Sequence, residues 1–140
     1  MYEPIRTKSV HTMAGTPSDS DFPHRSREEE LDIQLAGHLA ALLAVTDDLR
    51  ALTPSDELDT AAERLAAQVA RLRGVSPVRA TTAAGQGSRI AALHERAHTL
   101  AGRALVVAAS RADTAAAILS AQRMDAHTAA LEQDTLASTA

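Results

Sequence analysis

The chain has no cysteine and no tryptophan, and only one tyrosine and one phenylalanine. Disulfides, thiolate nucleophiles and cysteine-held metals are thereby excluded, and the redox compartment is left open. Both aromatics, Tyr2 and Phe22, lie near the amino terminus. The rest of the chain has no Phe, Tyr or Trp to stack on a nucleic-acid base. Its core must be built from Leu, Val, Ile and Ala. Such a core buries little area per residue, because an Ala side chain is about one methyl group. Bundles of that kind gain stability by close helix approach and by oligomerising. Excess positive charge is lacking too: 14 basic against 18 acidic residues give a net charge of −4. No nucleic-acid partner is expected from that balance. No apolar signal segment and no uncharged run of transmembrane length is present, so a cytoplasmic protein with no membrane partner is expected.

Residues 1–25 carry Pro4, Pro17 and Pro23 among many Ser, Thr and Asp. Without an apolar period, they read as a disordered or extended tail. The helical part is expected over 26–140 as one domain, with helices at about 27–52, 54–73 and 88–133. Ser26-Arg27-Glu28-Glu29 is a capping box that opens the first of these. Leu31, Leu35, His38, Leu42, Val45, Leu49 and Leu52 form its apolar stripe. Thr53 and Pro54 stop it, and they suit the cap and first position of the next helix. Leu58, Ala62, Leu65, Val69 and Leu72 make the second stripe, and Gly74 sits where a helix ends. The short link implies an antiparallel hairpin. Residues 75–87 read as a linker, with room for one helical turn after Pro77.

Ser88 to Gln133 contains no proline, and its only glycine is Gly102. It is expected to be one long Ala-rich helix, capped by Ser88. Ile90, Leu93, Ala97, Leu100, Ala104 and Val107 alternate steps of three and four, as the seam of a coiled coil does. Arg89, Arg96 and Arg103 flank that seam. The period fails at Arg111 and Thr114, resumes at Ile118 and Ala121, and ends at Asp125. Ser110-x-x-Asp113 could cap a separate helix, so a break near residue 110 is the alternative. The fold expected is all-α: a helical hairpin plus one long helix in a three-helix bundle, or a four-helix bundle if broken. The Ala-lined seam argues for a homodimer. The Arg row is expected to pair with the first helix's carboxylates, or across an interface, rather than with phosphate.

His94-Glu95-Arg96-Ala97-His98 matches H-E-x-x-H. On a helix, His residues four apart share a face and can share a zinc ion, and the Glu can act as base toward zinc-bound water. These five residues resemble the zincin metalloprotease motif. Arg96 departs from it, and so do Ala101 and Ala104, which stand at the Gly and third His of the longer metzincin form. Only Glu132 is available downstream as a third ligand of the gluzincin kind. His38, in a seam position, offers a third imidazole. With His94 and His98 it resembles the triple-His arrangement of DinB-like helical bundles, which are usually rich in aromatics. The competing reading makes the motif histidines surface residues and His38 a half-buried polar group. Gly85-Gln86-Gly87-Ser88 lacks the strand and Lys of a phosphate loop and reads as an ordinary turn. The function expected is a non-catalytic helical protein that binds itself or another helical protein, with no cofactor. The alternative is a zinc-binding bundle using His94, His98 and His38, which as a hydrolase would use Glu95 as base.

Overall fold

In the computed structural model, residues 26–79 and 87–139 are described. The expected tail 1–25 and the first half of the glycine-rich turn, Gly85 and Gln86, lie outside them. The chain divides into two compact units, Met1–Glu30 and Leu31–Ala140. Of the first, only its last residues are described. There Glu29 N donates to Ser26 Oγ at 3.1 Å, and Ser26 N donates to Glu29 Oε1 at 2.8 Å. This is the reciprocal capping box that the sequence implies.

Four helices follow in order: α1 Arg27–Leu52, α2 Asp56–Arg73, α3 Gly87–Arg111 and α4 Thr114–Thr139. All described regular structure is helical. The expected single helix over 88–133 is therefore two, and the four-helix alternative describes the chain. The break is a Schellman turn. Asp113 N donates to Ala108 O and Ala112 N to Ala109 O, which satisfies carbonyls left open at a helix end. Ala112 takes the left-handed conformation at φ 59°, where glycine is usual. Asp113 then caps α4 by accepting from Ala116 N at 3.1 Å. The cap is thus Asp113 itself, and Ser110 is still inside α3.

The α1–α2 link also differs from expectation. Thr53 belongs to the end of α1, donating its N and Oγ1 to Leu49 O. Ser55, extended at φ −157°, is the cap of α2 and accepts from Leu58 N at 3.1 Å. Pro54 therefore precedes the cap instead of opening the helix. Gly74 ends α2 as expected, left-handed at φ 81° with its N donating to Ala70 O. Residues 75–79 are not helical, so no turn starts after Pro77 among the described residues. α3 begins at Gly87, which places Ser88 in its first turn and not at its cap.

Ion pairs fix the helix directions. Arg50 meets Asp59 across the first hairpin. Asp32 meets Arg111, and Asp48 meets Arg89, so α3 runs antiparallel to α1. Arg71 meets Asp113 and Glu57 meets Arg123, so α4 runs antiparallel to α2. Hence α2 and α3 point the same way, and the link after Gly74 must return along the bundle. Arg79 in that link already clamps Asp47, near the end of α1, through two 2.7 Å bonds. The unit is two antiparallel hairpins joined by one crossover.

Leu35, Leu39, Leu42, Leu49, Leu65 and Val69 are fully buried and are the largest apolar side chains that are so. Each buried Leu contributes about 2 kcal/mol. Ala97, Ala101, Ala104 and Ala108 line the inner face of α3, completely buried. Their size lets α3 and α4 approach closely. No described helix is long and apolar enough to cross a membrane.

Candidate functional site

The expected dimer seam is spent inside the chain. Leu93, Ala97, Leu100 and Ala104 are buried in the common core, and Ile90 and Val107 pack against it. The argument for a homodimer through that seam is thereby removed. Arg89 and Arg111 pair with α1 carboxylates, as the charge pattern suggested, whereas Arg96 and Arg103 are exposed. The second part of the expected seam does not reach the core in the same way. Ile118 is exposed and Ala121 half-buried, because the turn at Ala112 resets the helical phase, while Asp125, expected to end the seam, is exposed.

That reset turns Ala116, Leu119, Ser120, Arg123 and His127 of α4 inward. A polar chain results. His127, 1% exposed, has its Nδ1 2.9 Å from His94 Nδ1 on α3. Its Nε2 lies 3.2 Å from an Arg123 terminal nitrogen. The other Arg123 terminal nitrogen donates to Glu57 Oε2. The protons follow from chemistry. A guanidinium only donates, so His127 Nε2 must accept. His127 then carries its proton on Nδ1 and donates it to His94 Nδ1. His94 must therefore be protonated on Nε2. Glu57, Arg123, His127 and His94 thus form one hydrogen-bonded chain from the surface of α2 to α3, in which Arg123 donates both ways, to Glu57 and to His127.

Electrostatics agree with neutral rings. Burial first, then the positive Arg123 and the other histidines, push His127 down to about 3. Burial and Arg123 lower His94 as well. Two groups in the cluster remain unmatched: Ser120 Oγ and Arg123 Nε are buried without a hydrogen-bond partner among the described residues. Such atoms in a native core ask for an explanation.

The H-E-x-x-H residues are on α3 as expected, but they separate in role. His94 turns to His127, while Glu95 is exposed and His98 half-buried beside a groove. His38 is half-buried on α1. The Asp32–Arg111 and Asp48–Arg89 pairs put it roughly two helical turns along α3 from His94. Among the described residues, no three His, Asp or Glu side chains gather in a way that could hold a metal ion. The second shell of the His pair is also wrong for zinc. A metal-bound imidazole donates its other N–H to an acceptor, whereas His127 Nε2 faces a donor. His127 and Arg123 were missed because a continuous helix assigns them to another face. Their signal was a polar set at helical spacing, Ser120, Arg123 and His127, among alanines.

The outer side of the α3–α4 hairpin is the second feature. The Ala112 turn and the His94–His127 contact set its register. At one end is an open groove of about 790 Å³ between Glu95, His98 and Thr99 of α3 and Thr128, Leu131, Glu132 and Leu136 of α4. In the middle, a Cβ on Gly102 would lie 3.7 Å from Met124 Cε. At the other end Val106 and Ile118, each six residues from the turn at Ala112 and so at the same height of the hairpin, are 66% and 54% exposed. No family model, curated protein or solved structure matches this chain.

Proposed function

We propose that the chain is a non-catalytic interaction protein that associates with itself through the outer face of α3 and α4. The observation that carries this reading is the pair of level, exposed apolar side chains, Val106 and Ile118, on a face that continues into the open groove. Exposed apolar surface of that kind, rimmed by polar groups, is characteristic of association sites. Charge supports a second copy as the occupant. Arg96 and Arg103 are exposed along α3, and Asp125 and Glu132 are exposed along α4. A two-fold axis parallel to the helices lays α3 of one copy over α4 of the other. Val106 then meets the partner's Ile118, and the Arg row meets the partner's acidic row. Such an isologous contact closes at two copies.

Zinc has weaker support. The converging Nδ1 atoms of His94 and His127 suit two ligands of one ion, but the donor on His127 Nε2 opposes it. One experiment separates the readings. Native mass spectrometry of the full chain, with and without zinc, is expected to give a metal-free dimer. Val106→Glu is expected to shift it to monomer at least tenfold more readily, with its helix content unchanged. A wild-type monomer at high micromolar concentration would overturn the self-association reading. One zinc bound per chain, lost in His94→Ala, would revive the metal reading.

A further inference from the structure

We propose that the cleft between α2 and α4 binds a small oxyanion, a phosphate or carboxylate, on Arg123 and Arg64, with Glu57 holding Arg123 until the oxyanion displaces it.

The cleft has a volume of about 350 Å³ and is lined by Glu57, Thr60 and Arg64 from α2 and Gln122 and Arg123 from α4. That volume is at the small end of ligand pockets. Arg123 is 4% exposed, and its Nε has no hydrogen-bond partner among the described residues. A guanidinium has five N–H donors in a planar fork made for oxyanions. Here one terminal nitrogen serves Glu57 and the other serves His127, which leaves donor capacity unused in a dry place. Burial raises the strength of any charge-assisted bond made there.

Glu57 is the replaceable partner. Its side chain is 59% exposed, and it sits in the first turn of α2. It can turn into water without disturbing the core. His127 cannot move aside in the same way, being enclosed. Arg64 is exposed on the same wall, one turn beyond Thr60, and makes no ion pair among the described residues. An oxyanion in Glu57's place would therefore meet a buried guanidinium, a second cation, a hydroxyl and an amide. The positive end of the α2 dipole favours negative charge at that point too. This assignment stands apart from self-association, since its central residue, the buried Arg123, is on the opposite side of α4 from Asp125 and Glu132.

The test follows the Arg123 Nε–H resonance of the full chain by NMR during titration with sodium phosphate, sodium acetate and sodium chloride at matched ionic strength. Phosphate or acetate is expected to move that resonance saturably, and chloride is not. Glu57→Gln removes the competing carboxylate and is expected to tighten binding about tenfold. Arg64→Ala is expected to weaken it by a similar factor, as loss of one charge-assisted bond does. Both changes are on exposed side chains, so the fold is retained. Equal responses to all three salts, or responses indifferent to both variants, would mean an adventitious ion only and would overturn the proposal.

Discussion

A buried imidazole that must stay neutral makes stability depend on pH. His127 ordinarily takes a proton near 6.5, but in the fold it does so only at about 3. Above 6.5 the folded and unfolded chains are both neutral there, and nothing is lost. Below 6.5 the unfolded chain gains a proton that the folded chain refuses. Stability therefore falls as pH falls from about 6.5, by roughly 1.4 kcal/mol per unit for one such group. His94 is lowered as well and acts in the same direction. Burial works against ionisation of Asp47 and Asp113, but their arginine partners outweigh it and hold both carboxyls below the ordinary 3.8. Their contributions are present above that value and lost only at lower pH, so the windows are distinct. Urea unfolding at pH 7.5 and 5.5 should show the wild-type chain losing on the order of 1 kcal/mol. His127→Gln, whose amide oxygen can still accept from Arg123, should lose less than half as much. An unchanged slope in that variant would place the proton elsewhere.

The decisive element is the two-residue turn between α3 and α4. Ala112 in the left-handed region costs about 1 kcal/mol relative to glycine. Ala112→Gly should stabilise the fold by about 0.5 kcal/mol after the added freedom of the unfolded chain is counted. Asp113 caps α4 and also receives Arg71 at 2.8 Å. Asp113→Ala should cost about 1 kcal/mol or more. Chemical denaturation midpoints measure both, and a destabilising Ala112→Gly would contradict the strain argument. This turn also explains why the helix boundary was hard to read. Helix ends are legible when glycine or proline marks them, as at Gly74 and near Pro54. Here an alanine occupies the left-handed position, and alanine is otherwise the best helix former. Only Asp113 and the lapse of the apolar period at Arg111 and Thr114, with no proline or glycine beside them, signalled the stop.

At the scale of the molecule, the same alanines that suggested a dimer seam let α3 and α4 close on each other. Stripes on α1 and α2 read true because each helix buries one face and both ends carry marked caps. Leu35, Leu42, Val45 and Leu49 are buried as expected, and so are Leu58, Ala62, Leu65 and Val69. The candidate site was half legible. His94 was singled out, but its partners lie on α4, which a straight helix would carry far away. For the association face, a charge exchange is the sharpest check. Arg103→Asp alone should weaken self-association about tenfold, and adding Asp125→Arg should restore most of it. Sedimentation equilibrium across the cycle gives the coupling, and strict additivity would remove that pairing.

The sequence by itself determined that the chain is helical, roughly where the first two helices lie, and the caps at Ser26 and Gly74, although the cap of α2 is Ser55 and not Thr53. It did so because local periodicity and capping chemistry involve residues only a few positions apart. Only the tertiary structure decided that the third segment folds back on itself. That single turn chooses which face of α4 is buried. It brings His127 and Arg123 against His94 and Glu57, groups separated by 33 and 66 residues in the chain. Contacts of that kind depend on the direction of a helix after a break, and no local pattern records it.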